Sequence, residues 1–111
     1  MKITEEELPG GITKVILDGR LDIEGAAKVD LKMNVIAATR KAVLFDLQSL
    51  SYLGSIGLRS LVVPARNIKI RGGRAVLFGP NEMVSEVLRT TNIDSIIPVH
   101  HDLSAALAAL Q

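Results

Sequence analysis

The sequence predicts an α/β domain, a mixed sheet of four to five strands flanked by four helices, in the order ββαβαβαβα. Short, nearly continuous apolar runs at 42–47 and 75–78 have the length of buried central strands. Stretches with helical apolar spacing follow the strands, and that alternation favours a mostly parallel sheet. The hydrophobic fraction is 48% although the chain holds only two Phe, one Tyr and no Trp, so the core must be aliphatic. Its 111 residues suit one domain, 1–111, and a mean hydropathy of +0.31 excludes a disordered chain.

Strand character at 2–8 and 11–18 surrounds Pro9-Gly10-Gly11, whose composition suits a turn. The second of these segments carries apolar residues on both faces, as in a strand covered on both sides. After Gly19-Arg20-Leu21-Asp22 comes a helical stripe of Ala26, Val29, Met33, Ile36 and Ala37, with Asp22 and Glu24 placed to cap it or meet its dipole. The run 42–47 then forms a central strand, and a loop leads to a second helix built on Ile56, Leu58, Leu61, Val62, Ala65 and Ile68. Pro64 predicts a local kink there, since an interior proline removes a backbone bond at ~3 kcal/mol. Gly72-Gly73 stops that helix, and 75–78 is the next strand. Asn81 caps a third helix with Met83, Val84, Val87 and Leu88 inward. Ile96-Ile97-Pro98-Val99 reads as a short edge strand, and Asp102 caps a last helix carrying Leu103, Leu107 and Leu110. Val43, Phe45, Val76 and Phe78 are expected at the centre of the sheet.

Composition narrows the function. Thirteen Lys and Arg against twelve Asp and Glu give a net charge of +1, so no global field recruits nucleic acid directly. The absence of cysteine removes disulfides, thiolate catalysis and thiolate metal sites. The acidic start, Met1-Lys2-Ile3-Thr4-Glu5-Glu6-Glu7, is unlike a signal peptide, and no apolar run approaches the roughly 20 residues of a membrane span. The expectation is a cytoplasmic protein with no membrane insertion.

The most unusual segment is Ser51-Tyr52-Leu53-Gly54-Ser55-Ile56-Gly57-Leu58. It delivers Ser55 to the first turn of a helix, where unpaired N–H groups and the dipole favour negative charge and small neighbours allow close approach. Such a serine serves as an N-cap, an anion site or a phosphate acceptor, and the N-cap is the commonest role on residue chemistry alone. Gly54-Ser55-Ile56-Gly57 lacks the spacing of a nucleophile elbow. His100 and His101 read as solvated loop residues beside Asp102, too sparse for a metal. Gly10-Gly11 and Gly72-Gly73 are turn punctuation rather than phosphate loops. Arg66, Lys69, Arg71 and Arg74 read as a solvated face, with weak anion binding as the sharper alternative. No catalytic residue, metal or cofactor is expected.

Three blocks, Gly19-Arg20-Leu21-Asp22, Phe45-Asp46-Leu47 leading to Tyr52-Leu53-Gly54-Ser55-Ile56-Gly57-Leu58, and Gly72-Gly73-Arg74-Ala75-Val76, resemble the STAS domain, and more narrowly the bacterial anti-sigma factor antagonists. The resemblance runs essentially end to end and implies the STAS fold over 1–111 as a single domain. It implies a partner switch: the antagonist binds an anti-sigma factor that is a serine kinase, a sigma factor is released, the kinase phosphorylates a serine corresponding to Ser55, and a serine phosphatase restores it. The antagonist is then a substrate, not an enzyme. Asp22, Gly54, Ser55, Ile56, Gly57 and Leu58 form the expected partner-binding surface, on a monomer or weak dimer. Gly54 stands where the family pattern usually has Asp, and Ile56 where it often has Ser, Thr or Ala. Two further readings fit the resemblance: an unphosphorylated accessory STAS subunit of a membrane transporter of the lipid-import ABC type, and a small-ligand-binding STAS module.

Overall fold

The computed structural model describes residues 1–111. β1 (Lys2–Leu8) pairs antiparallel with β2 (Ile12–Leu21), and the turn between them uses Gly10 and Gly11 at φ of 85° and 75°, a region a side chain would resist. α1 (Ile23–Thr39) crosses to β3 (Ala42–Asp46), which lies parallel to β2. β4 (Leu50–Leu53), α2 (Ser55–Ile70), β5 (Arg74–Phe78), α3 (Glu82–Thr90), a 3₁₀ turn (Ile93–Ser95), β6 (Val99–His100) and α4 (Leu103–Ala108) complete the chain. The sheet order is β1-β2-β3-β5-β6, with β4 parallel to the far end of β2.

The sheet has an unequal sandwich of cover. On one face Val15, Leu17, Val43, Phe45, Ala75 and Leu77 meet the buried stripes of α1, α2 and α3 in a cluster of 21 residues. On the other, Ile12, Leu44, Val76 and Phe78 form a cluster of six with Ala106 and Leu110, edged by the partly buried Leu8, Ala42, Leu107 and Ala109. Val43, Phe45, Val76 and Phe78 are all buried, as the apolar runs predicted.

Several expectations are corrected. A sixth strand, β4, occupies what was read as a loop. β2 is covered on its second face only where α4 reaches Ile12; beyond that, Lys14 and Ile16 are half-exposed, and Lys14 Nζ lies 3.6 Å from Asp46 Oδ2. The expected strand at 96–99 is reduced to Val99–His100: Ile97 is fully buried, but from the turn after the 3₁₀ segment, its N–H donating to Ile93 O at 2.9 Å. Met83 and Leu103 face solvent, leaving Val84, Leu88, Ala106 and Leu110 to anchor the last helices. α2, by contrast, continues past Pro64 to Ile70 as the apolar spacing predicted. Burial of Leu61, Val62, Ala65 and Ile68, at about 1.5–3 kcal/mol for each large side chain, outweighs the single lost bond.

Candidate functional site

The site lies where the end of β2, the start of α1 and the β4–α2 junction converge. Parallel pairing sets Arg20 beside Tyr52 and Leu21 beside Leu53, and Gly54 N–H donates to Leu21 O at 3.2 Å. The register explains the Arg20 guanidinium, whose carbon stands 4.3 Å from the centroid of the Tyr52 ring. Immediately beyond β4, Ser55 is the first residue of α2 and is exposed. Asp22, Ile23, Tyr52, Gly54, Ser55 and Ile56 line a shallow cavity of about 220 Å³. Ile23 and Ile56 are 68% and 48% exposed, so its rim is apolar.

Ser55 is not the N-cap that residue chemistry favoured. Gly54 holds that position, with no side chain to offer the first turn, and the Ser55 hydroxyl stands one residue too late in the chain to serve. Asp22 does cap its helix, its Oδ1 accepting from Gly25 N at 2.8 Å. That backbone bond, aided by the Arg20 side chain, holds the Asp22 carboxyl below its ordinary value and so keeps it anionic. Asp22 Oδ2 is also 3.5 Å from Arg20 Nε.

Of the residues picked from the sequence, Asp22, Gly54, Ser55 and Ile56 come together around the cavity. Gly57 and Leu58 do not line it. Gly57 is buried where any Cβ would collide with the Leu21 carbonyl, and Leu58 packs half-buried against the main core. They position the helix start. Sequence reasoning singled out neither Arg20 nor Tyr52 for a role in the site, because the pair meets only through the β2–β4 register. At the Gly54 departure a Cβ would stand 3.1 Å from Tyr52 Cε2 and 3.2 Å from its hydroxyl, so a side chain at 54 would require the ring to shift by a few tenths of an ångström.

The other candidates fall outside this site. His100 is half-buried in β6 and His101 exposed. The basic cluster is mostly engaged with backbone: Lys69 Nζ donates to Ile96 O at 2.8 Å, Arg71 to Ala37 O and Arg40 O, and Arg74 to Gln111 O. No helix is long and apolar enough to cross a membrane.

The sequence profile of the STAS domain matches residues 5–106. The chain belongs to the STAS domain family. Among sequence relatives, BtrV of Bordetella bronchiseptica, provisionally named an anti-sigma factor antagonist, is 30% identical over all of this chain and 96% of its own. A crystal structure from Thermotoga maritima, also provisionally named an anti-sigma factor antagonist, superposes with a TM-score of 0.89 at 22% identity, covering 97% of this chain and 93% of that one. The Bacillus cell fate determinant SpoIIAA in its phosphorylated form superposes with a TM-score of 0.74 at 15% identity, covering 99% of this chain and 100% of that one. The fold is the STAS fold, and the chain's relatives place it with the anti-sigma factor antagonists.

Proposed function

We propose that this STAS domain, spanning residues 1–111, is a cytoplasmic partner switch: it binds an anti-sigma factor that is also a serine kinase, frees a sigma factor, and is turned off by phosphorylation of Ser55. The observation that carries this reading is an exposed serine, engaged by no cap, at the first position of a helix held by a strand on one side and a tight glycine on the other. In the modifying step Ser55 Oγ takes the γ-phosphoryl group of ATP, its proton leaves, and the γ-phosphorus to bridging-oxygen bond breaks to release ADP. The added charge of about −1.5 to −2 lands on the rim where Ile23 and Ile56 would meet the partner. An apolar contact that accepts such a charge without a matching cation weakens by several kcal/mol. The chain contributes a substrate serine and a docking surface rather than catalysis, and a serine phosphatase resets it.

The test is capture of partners from cell lysate on the immobilised protein, followed by incubation with the captured kinase and ATP and mapping of the phosphate. A kinase that modifies the protein but not Ser55→Ala supports the reading. Recovery of transporter permease and ATPase subunits, with no modification of Ser55, would replace it with the accessory-subunit reading.

A further inference from the structure

A phosphate on Ser55 would share its cavity with Asp22, a carboxylate fixed in place by the Gly25 N–H. Two like charges in so small a space repel, so the modified state needs cations close by. None lines the cavity itself. One stands on each side of it.

Arg20 lies on the β2 side. Its contact with Asp22 is through Nε, which leaves the terminal nitrogens of the guanidinium fork free, and its side chain is 62% exposed. The Tyr52 ring on which it rests is the same ring that borders Gly54, the residue before Ser55. Arg59 lies on the α2 side, four residues after Ser55 and so on the same helix face. Helical side chains in general tilt toward the N-terminus, so position 59 is one from which a long side chain can reach the serine one turn earlier. It lines the adjoining groove with Asp30, Asn34 and Ile56, and it forms no ion pair with Asp30 or any other carboxylate. Ile56 is shared by the groove and the cavity, so the two adjoin at that residue.

We propose that Arg20 and Arg59 form a two-sided clamp that takes the phosphate of Ser55 within the same molecule, Arg20 turning from Asp22 to the phosphate and Arg59 closing from the next helical turn. The clamp rests on the Ser55 reading above and adds its consequence. The phosphorylated protein satisfies its own new charge, so the modified form is stabilised in the free state and is not merely repelled from a partner. The glycine at 54 fits this arrangement. A carboxylate there would press on Tyr52 and add another anion, whereas glycine leaves the ring, and the arginine on it, next to the serine.

The test uses the full chain with phosphoserine built in at position 55 during translation, so that no kinase is needed and a failure of the kinase reading cannot be mistaken for a failure of the clamp. Phosphorus NMR then follows the second ionisation of the phosphate. In the parent protein it is expected below its ordinary value of about 6, by roughly half a unit for so exposed a site. Arg20→Gln and Arg59→Gln should each raise it, and the double variant should raise it further, to the ordinary value or above, because Asp22 stays beside the phosphate. Arg66→Gln, farther along the same helix, should leave it in place. All three substituted positions are surface side chains, and thermal melts of each variant verify the fold. A double variant that titrates with the parent overturns the clamp, as does an equal shift from Arg66→Gln. Movement by only one of the two arginines overturns its two-sided form.

Discussion

The third residue of α1 is Gly25 and the third residue of α2 is Gly57, and they face consecutive carbonyls at the end of β2, those of Arg20 and Leu21. Both helices are thus drawn against one strand end by the absence of a Cβ. Their first turns are then completed differently. α1 receives the Asp22 carboxylate, which also meets Arg20; α2 begins after a glycine and exposes a serine whose hydroxyl is not used as a cap. At the α1 start a side chain closes the first turn. The start left open is the one that carries the candidate switch.

The largest effects should come from breaking what the two starts share. Gly57→Ala drives a methyl group into the Leu21 backbone, and Gly25→Ala drives one into the Arg20 backbone; neither neighbour is a flexible side-chain tip. Each should cost about 3 kcal/mol or more in urea unfolding, at the upper end of overpacking. A loss under about 1 kcal/mol from either would mean that its helix start is not held by that contact.

Next in size is the effect on binding at the open start. Phosphorylation of Ser55 should weaken the anti-sigma factor complex roughly a hundredfold, about 2.7 kcal/mol, by calorimetric titration. Ser55→Asp should weaken it less, because one carboxylate carries less charge and bulk. Equal affinity for Ser55→Asp and the unmodified protein would remove the electrostatic switch from this position.

The closed start has a pH signature that the open one lacks. The folded-state pKa of Asp22 lies below its ordinary 3.8, so its stabilising contribution is complete above that value and is lost as pH falls through the lower, folded one. Asp22→Ala should lower the melting temperature at neutral pH, and the deficit should shrink on acidification below 3.8. Asp22→Asn, which keeps an acceptor for Gly25, should lose less at neutral pH.

The smallest effect is Ser55→Ala, expected within about 0.5 kcal/mol of the parent because no cap is removed. Residue chemistry favours Ser55 as an N-cap, and the reason the structure differs is specific. Asp22, Asn81 and Asp102 were legible as caps because their side chains both signal and perform the role. Gly54 caps with backbone alone, which leaves the neighbouring serine as the only visible candidate.

The same division runs through the fold. β3 and β5 were plain in the sequence because burial on both faces makes them continuous apolar runs. β4 was not: Leu50-Ser51-Tyr52-Leu53 is short, half its side chains are uncovered, and it exists as a strand only because β2 extends far enough to pair with it. Ile97 misled in the opposite sense, since its burial comes from a turn and not from a strand. The Arg20–Tyr52 stack depends on that same long-range register, so nothing local announced it. Asp22 and Ser55 were legible as residues, and the family resemblance put them on one surface; the residue pattern alone did not, since they sit on separate helix starts joined only by the β2–β4 pairing.

The β4 pairing has a kinetic consequence. Because a hydrogen-bonded strand hands the chain directly to α2, Ser55 is presented on backbone already fixed by folding, and a partner need not order a loop on arrival, a step that costs about 1–2 kcal/mol per residue. Association should therefore proceed at the pace of encounter for modified and unmodified protein alike, with the difference between them falling in the rate of departure. Stopped-flow mixing should find similar association rates and a much faster dissociation for the phosphorylated form, so that what the modification sets is how long a partner stays.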